Sequence, residues 1–284
     1  MKVQFYGVRG SVPTPGKHTL VFGGNTSCVY VWLQNGDDII LDAGTGIIAL
    51  GDRLINDARP ITIVLTHNHW DHIQGFPYFR PIFQPERNIL LIPGAVDCDD
   101  KDMVLRQMSG SNHPVKYDQL PANICVNESL ALKKAFDIGG FNVKTQALNH
   151  PDGGTAYCLY GDDKKLAYVT DNELAPPDEP RTSWQQWLDF IDGADMLIHD
   201  AQYTEADLPL KHGWGHSIFT QVAQLAVEAK VKSLFIISHD PARTDEELIS
   251  VEKILQEKFG ESLRVNCARE GVIVDLESMD INGQ

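Results

Sequence analysis

Apolar positions along this chain follow two periods, and the switch between them organises it. In the first third Val3–Val8, Cys28–Leu33 and Asp38–Asp42 read as strands, the last two joined by a tight turn at Asn35–Asp37. Gly46–Ile55 reads as a short helix. Ile61–Leu65 is an unbroken run of β-branched and aliphatic residues, as expected of a strand covered on both faces. Ile89–Ile92 is another strand. Asp99–Met108 is expected to be a helix, with acidic residues in its first turn where they suit the helix dipole. Residues 109–138 show no clear period. Strands follow at Phe141–Leu148, Thr155–Tyr160 and Leu166–Thr170, and then strands alternate with helices. Ser217–Lys230 carries Ile218, Val222, Leu225, Ala226 and Ala229 on one helical face, with Ser217 as the expected N-cap. Thr244 and Glu247 form a capping box that opens a helix to Lys258. Met196–His199 and Leu234–Ser238 are buried strands, and Gly271–Asp275 closes the pattern. No repeat and no composition break divides the chain. A single α/β domain over residues 1–284 is expected, with sheets packed together and helices outside.

The chemistry concentrates where buried strands end. Ile61–Leu65 runs directly into a loop holding His67, His69, Asp71 and His72. Side chains two apart at a strand end project in similar directions, so His67 and His69 can converge on one ion while Asp71 and His72 reach a neighbouring point. Packing does not call for four such groups together. His150, Asp171 and His239 each follow a further strand. Histidine and carboxylate donors without cysteine suit zinc, manganese or iron, and two metals could share Asp171 as a bridge.

This set, an H-x-H-x-D-H motif after a β-branched strand followed by His150, Asp171 and His239, resembles the metallo-β-lactamase superfamily over nearly the whole chain. The resemblance implies an αββα sandwich of two mixed β-sheets flanked by helices, with a dimetal site at one edge. It implies that His67, His69 and His150 bind one metal, that Asp71, His72 and His239 bind the other, and that Asp171 bridges. The segments at Ile198–Tyr203 and Gly215–Ala226 resemble the phosphodiesterase branch, which includes tRNase Z and enzymes that open cyclic phosphodiesters. There Asp200 and His216 match a carboxylate–histidine pair near the scissile phosphate. Gly23–Cys28 and Leu41–Gly46 resemble the cyclic-phosphate members, so Asn25 and Thr26 are expected to touch substrate alongside His216. Asp42 is expected to support the ligand loop from behind. His199 reads as an ordinary strand residue, and His18, His113 and His212 match no ligand position. His113 and Tyr117 fall in a segment that could cover the site or join a dimer, and the resemblance admits a homodimer.

Charge narrows the substrate. With 24 Lys and Arg against 39 Asp and Glu the net charge is −15, which disfavours a wide grip on long nucleic acid or on an anionic membrane surface. A bound metal can still draw a small anion. The basic arm of tRNase Z is not evident between Asp171 and His199. Five cysteines without a C-x-x-C spacing suggest reduced thiols rather than disulfides or a thiolate zinc site. With no export signal and no long apolar run, a cytoplasmic location is expected. The leading expectation is a dinuclear zinc phosphodiesterase with a small, cyclic-nucleotide-like substrate. Asp71 would orient a hydroxide that the two Zn²⁺ ions generate, and His216 with Asp200 would act at the phosphate or leaving oxygen. The alternatives are a thioesterase, lactonase or β-lactamase-like zinc hydrolase, a tRNase Z-like nuclease, or a metal carrier without turnover.

Overall fold

The computed structural model describes residues 1–94 and 102–283. In chain order its strands are β1 (Lys2–Gly7), β2 (Cys28–Trp32), β3 (Asp38–Leu41), β4 (Ile61–Val64), β5 (Asn88–Ile92), β6 (Asn123–Val126), β7 (Ala135–Ile138) and β8 (Phe141–Ala147). They continue with β9 (Thr155–Gly161), β10 (Lys164–Val169), β11 (Met196–Asp200), β12 (Ser233–Ile237), β13 (Arg264–Cys267), β14 (Ile273–Asp275) and β15 (Asp280–Asn282). Two mixed sheets result. One has the order β15-β14-β1-β2-β3-β4-β5-β6 and the other β13-β12-β11-β10-β9-β8-β7. The strands β3 to β6 are parallel to one another, as are β10 to β13.

Three apolar clusters make the layers. The inner faces of both sheets share one, in which Val3, Phe5, Val31 and Leu41 meet Val143, Leu159, Ile198 and Phe235. The outer face of the first sheet takes Ile47, Leu50 and Leu54 of the helix Ile47–Leu54 onto Ile40, Ile63 and Leu91. The outer face of the second takes Trp187, Val222, Leu225, Leu248 and Leu255 from the helices Trp184–Ile191, Phe219–Glu228 and Asp245–Phe259. This is the expected αββα sandwich. Residues buried on both faces explain why Ile61–Val64 reads as an unbroken apolar run. Among the described residues, no helix is long and apolar enough to cross a membrane.

Several elements differ from the expectation. Cys98 and the start of the helix expected at Asp99–Met108 lie outside the described residues, and the helical turn observed there is Met103–Arg106. Residues 109–138 supply β6 and β7. The helix Trp184–Ile191 is additional, opened by a capping box of Ser183 and Gln186. Strand β15 follows β14, so Gly271–Asp275 is not the last strand. Ser217 does not cap the helix that follows. That helix starts at Phe219, and the Ser217 hydroxyl donates to the Asn172 carbonyl while accepting from the Leu174 amide at 3.1 Å.

Candidate metal centre

The carboxyl ends of β3, β4, β8, β10, β11 and β12 meet at one edge of the sandwich. Hydrogen bonds join the sheets there, among them Thr155 N–H donating to the Thr66 carbonyl at 2.9 Å and the Tyr157 hydroxyl to the Leu65 carbonyl at 2.8 Å. Three of these strands leave the sheet through a residue in the left-handed region, Asp42 (φ 62°), Asp171 (φ 54°) and Ser238 (φ 59°). That conformation is uncommon for residues other than glycine, and its recurrence at one edge marks a constrained site.

After β4 the chain places four donors within one loop and a single helical turn, Trp70–Ile73. His67 lies 3.0 Å from the Thr66 hydroxyl through Nδ1, and its buried Nε2 has no hydrogen-bond partner among the described residues. His150, beyond β8, donates from Nδ1 to the Gly215 carbonyl at 2.9 Å and turns Nε2 to within 3.0 Å of His69 Nδ1. Asp171 Oδ2 lies 3.7 Å from His67 Nε2, 3.8 Å from His150 Nε2 and 3.2 Å from His72 Nε2. Asp71 Oδ2 is 3.4 Å from His72 Nε2 and accepts the Ser11 amide at 2.7 Å. Behind them the buried Asp42 carboxylate accepts from His72 Nδ1 at 2.9 Å, from the Tyr168 hydroxyl at 2.8 Å and from the Thr66 amide at 2.8 Å. Each ring's outer nitrogen is thereby engaged, which leaves a lone pair of His67, His72 and His150 facing inward.

These residues fit divalent ions. A tetrahedral zinc ion with nitrogen bonds of about 2.0–2.1 Å spaces its donors about 3.3 Å apart, close to the separations just given. The ligand atoms of His67, His69 and His150 lie within 4.8 Å of one another, as do those of His67, His72 and Asp171 and those of His150, Asp171 and His216. Burial pulls His67 well below the usual histidine range and His150 down to about 4, so both present the neutral form that binds metal. Burial works the same way on His72, but Asp71, Asp171 and Asp42 outweigh it and hold its pKa well up. A carboxylate field that favours a charged imidazole there equally favours a divalent cation at Nε2.

Residues 38–239 match the family described as Beta-lactamase superfamily domain. This chain belongs to that family. It is a metal-dependent hydrolase of the superfamily, on the superfamily's fold. A Ribonuclease Z of Lactiplantibacillus plantarum is 26% identical over 320 residues, covering 99% of this chain and 98% of that protein. A Ribonuclease Z of Picrophilus torridus is 24% identical over 295 residues, covering 87% and 88%. Among solved structures, the metallo-beta-lactamase fold protein YhfI of Bacillus subtilis aligns with a TM-score of 0.69 at 16% identity, over 96% of this chain and 98% of that one. Human tRNase Z, short form, aligns at 0.60 and 19% identity, over 97% and 99%. These likenesses in structure concern the fold.

Within this superfamily member, Asp200 and His216 are together as expected. His216 Nδ1 lies 3.0 Å from Asp200 Oδ2, and Asp200 Oδ1 accepts the Asn172 amide at 2.9 Å. Burial alone would lower the His216 pKa, but Asp171, Asp200 and Asp71 outweigh it and raise it. Burial raises Asp200 to about 6.

Three expected residues do not join the cluster. Ser238, bent into the left-handed region, points its hydroxyl at Asp171 Oδ1 at 3.1 Å, and His239 faces the other way. His239 Nε2 lies 2.9 Å from the Ala268 carbonyl, and its ring edge meets Phe22. The expectation that His239 completes the second metal is therefore corrected by its position. Asn25 is tied to Glu270, by its amide N–H at 2.5 Å and its side chain at 2.9 Å. Thr26 is buried, and its hydroxyl accepts the Thr45 amide at 2.9 Å, so both serve the frame rather than a substrate surface. His113 turns to the Val115 carbonyl at 2.8 Å, against Tyr78.

The sequence reading missed Ser11, Tyr168, Ser238 and Glu173. Glu173 accepts the amides of Gly213 at 2.9 Å and Gly215 at 3.0 Å, fixing the loop whose carbonyl orients His150. Gly215 must be glycine: its φ is +87° and a Cβ would fall 2.0 Å from His150 Nδ1.

Proposed function

We propose that this hydrolase is a dinuclear, zinc-dependent phosphodiesterase of the ribonuclease Z kind, cutting a phosphodiester in RNA. The observation that carries the reading is the buried Asp200–His216 pair, 3.0 Å apart beside the His150–Asp171 donors. Curated relatives named Ribonuclease Z, aligned over nearly their whole length, support the RNA substrate. They weigh against the expectation from charge that long nucleic acid is excluded.

His67, His69 and His150 would hold one ion and Asp71 and His72 the other, with Asp171 facing both. Bound there, two divalent ions supply Lewis-acid stabilisation of phosphate oxygens and water acidic enough to attack near neutral pH. Asp71, with Oδ2 steadied by the Ser11 amide, orients the attacking water. With Nδ1 engaged by Asp200, His216 turns Nε2 toward the centre, where its charged form contacts a phosphate oxygen or protonates the leaving oxygen. Asp71 and Asp171 would be engaged by the ions, and Asp200, hydrogen-bonded to Nδ1 at 3.0 Å, would remain as the carboxylate that favours the charged form of His216. We place the protein in the cytoplasm, where its four described cysteines, all free, remain reduced.

A small phosphodiester such as a 3′,5′-cyclic nucleotide is the second reading, favoured by the net charge of −15. The zinc-loaded protein is assayed on precursor tRNA, cyclic nucleotides, bis(p-nitrophenyl) phosphate, a thioester, a lactone and a β-lactam. Cleavage of the RNA and of bis(p-nitrophenyl) phosphate, both abolished by a chelator, is the expected result. Cyclic-nucleotide hydrolysis without RNA cleavage selects the second reading. Turnover confined to the thioester, lactone or lactam overturns both.

A further inference from the structure

The chain has five tryptophans, and their exposure is uneven. Trp187 is fully buried and Trp32 and Trp184 are partly covered, whereas Trp70 is 70% exposed and Trp214 60% exposed. The two exposed rings belong to the two loops that carry His69, Asp71 and His216. Trp70 lies between His69 and Asp71, on the loop from the first sheet. Trp214 lies two residues before His216, on a loop packed on the second sheet. Burying an indole yields more than burying almost any other side chain, so two left in water beside one site are informative.

Both are held on fixed backbone. The residues following Trp70, Asp71 and His72, are buried in the cluster. Trp214 is bracketed by Gly213 and Gly215, whose amides are both bound to Glu173. Gly213 and Gly215 also line a cleft of about 290 Å³ together with His150, Pro176 and Arg181. The net charge of −15 leaves little capacity to hold RNA through its phosphates. Stacking of bases on aromatic rings supplies affinity without charge and tolerates any sequence.

Building on the phosphodiesterase reading, we infer that Trp70 and Trp214 are stacking platforms for unpaired nucleobases on either side of the scissile phosphodiester. Substrate affinity then comes chiefly from bases rather than backbone charge. Single-stranded RNA is gripped near the cut without a basic arm.

The test is a fluorescence titration of the zinc-loaded protein with a phosphorothioate-linked pentaribonucleotide and with an abasic chain of the same length. Quenching of tryptophan emission by the pentaribonucleotide is expected, with a shallow dependence on salt. Trp70→Ala and Trp214→Ala should each weaken its binding by roughly 5- to 150-fold, and Trp70→Phe should recover most of the loss. The weaker binding of the abasic chain should be the same in all variants. Alanine variants that bind the pentaribonucleotide as tightly as the wild type overturn the inference, as does a wild type that prefers the abasic chain. If the wild type still cleaves phosphodiesters in either case, the platforms fail and the phosphodiesterase reading stands. A wild type that neither binds nor cleaves overturns both.

Discussion

Asp42→Asn isolates the part played by the carboxylate beneath the ligand loop. Asp42 Oδ2 accepts from His72 Nδ1 at 2.9 Å and from the Tyr168 hydroxyl at 2.8 Å, while Oδ1 accepts the Thr66 amide at 2.8 Å. The amide of an asparagine in that place must keep its oxygen toward Thr66, so its NH₂ faces His72. Tyr168 can rotate its proton and accept. His72 can accept only by moving its proton to Nε2, the atom that faces Asp71 and Asp171 and would bind metal. The wrong tautomer then blocks one ion, in the way that an asparagine disables a catalytic histidine in a hydrolase triad. Loss of a carboxylate behind a histidine ligand costs 10- to 100-fold in metal affinity, or about 1.4–2.8 kcal/mol. The lost charge-assisted hydrogen bond removes roughly 1.5–3 kcal/mol of stability besides. Competition with a chelating indicator measures both zinc affinities, and urea unfolding measures stability. The tighter binding event should survive and one event should weaken. An Asp42→Asn protein that takes up two zinc ions with wild-type affinities refutes the reasoning.

His216→Ala should lower turnover of phosphodiesters by about 10²–10⁴-fold with zinc content unchanged, read by steady-state kinetics beside elemental analysis. Asp200, 3.0 Å from Nδ1, favours the imidazolium of His216, so the wild-type rate profile should show an alkaline limb as that proton is lost, and His216→Asn should show none. Gly215→Ala should cost about 1–3 kcal/mol in backbone strain and displace His150, so zinc stoichiometry and the urea midpoint fall together; a normal pair of values counts against the clash. Burial lowers His199 to about 4, so the unfolded chain takes a proton near pH 6.5 while the folded one does not. Its stability contribution is complete above pH 6.5 and fades as pH falls toward 4, by on the order of 3 kcal/mol. His199→Asn should flatten the pH dependence of the urea midpoint over that window.

The legible parts of the sequence were local ones. The H-x-H-x-D-H cluster is legible because all four donors leave one strand end, and the capping box at Thr244 and Glu247 is read and observed alike. The Ser183–Gln186 box is as clear in the sequence, and the helix it opens carries Trp184, Trp187, Leu188 and Ile191 at helical spacing, so this element was as readable as the others and was passed over. The short strands β6, β13 and β15 carry little period of their own and form by pairing with neighbours. His239 misled for a related reason. Which way the last residue of a strand faces depends on a single backbone bend, here at Ser238, and nothing in the local sequence announces a serine with positive φ. Glu173 acts across 42 positions on Gly215, a contact that exists only after the loops are brought together.

The centre lies on the seam between two sheets, with His67, Asp71 and His72 contributed by one and His150, Asp171 and His216 by the other. Ions bound across that seam act as rivets. A metal present at a hundred times its dissociation constant adds about 2.7 kcal/mol to folding by mass action alone. Metal supply would then bear on how long the protein lasts as well as how fast it works: chains without ions would lack that contribution and open to proteases before the loaded ones.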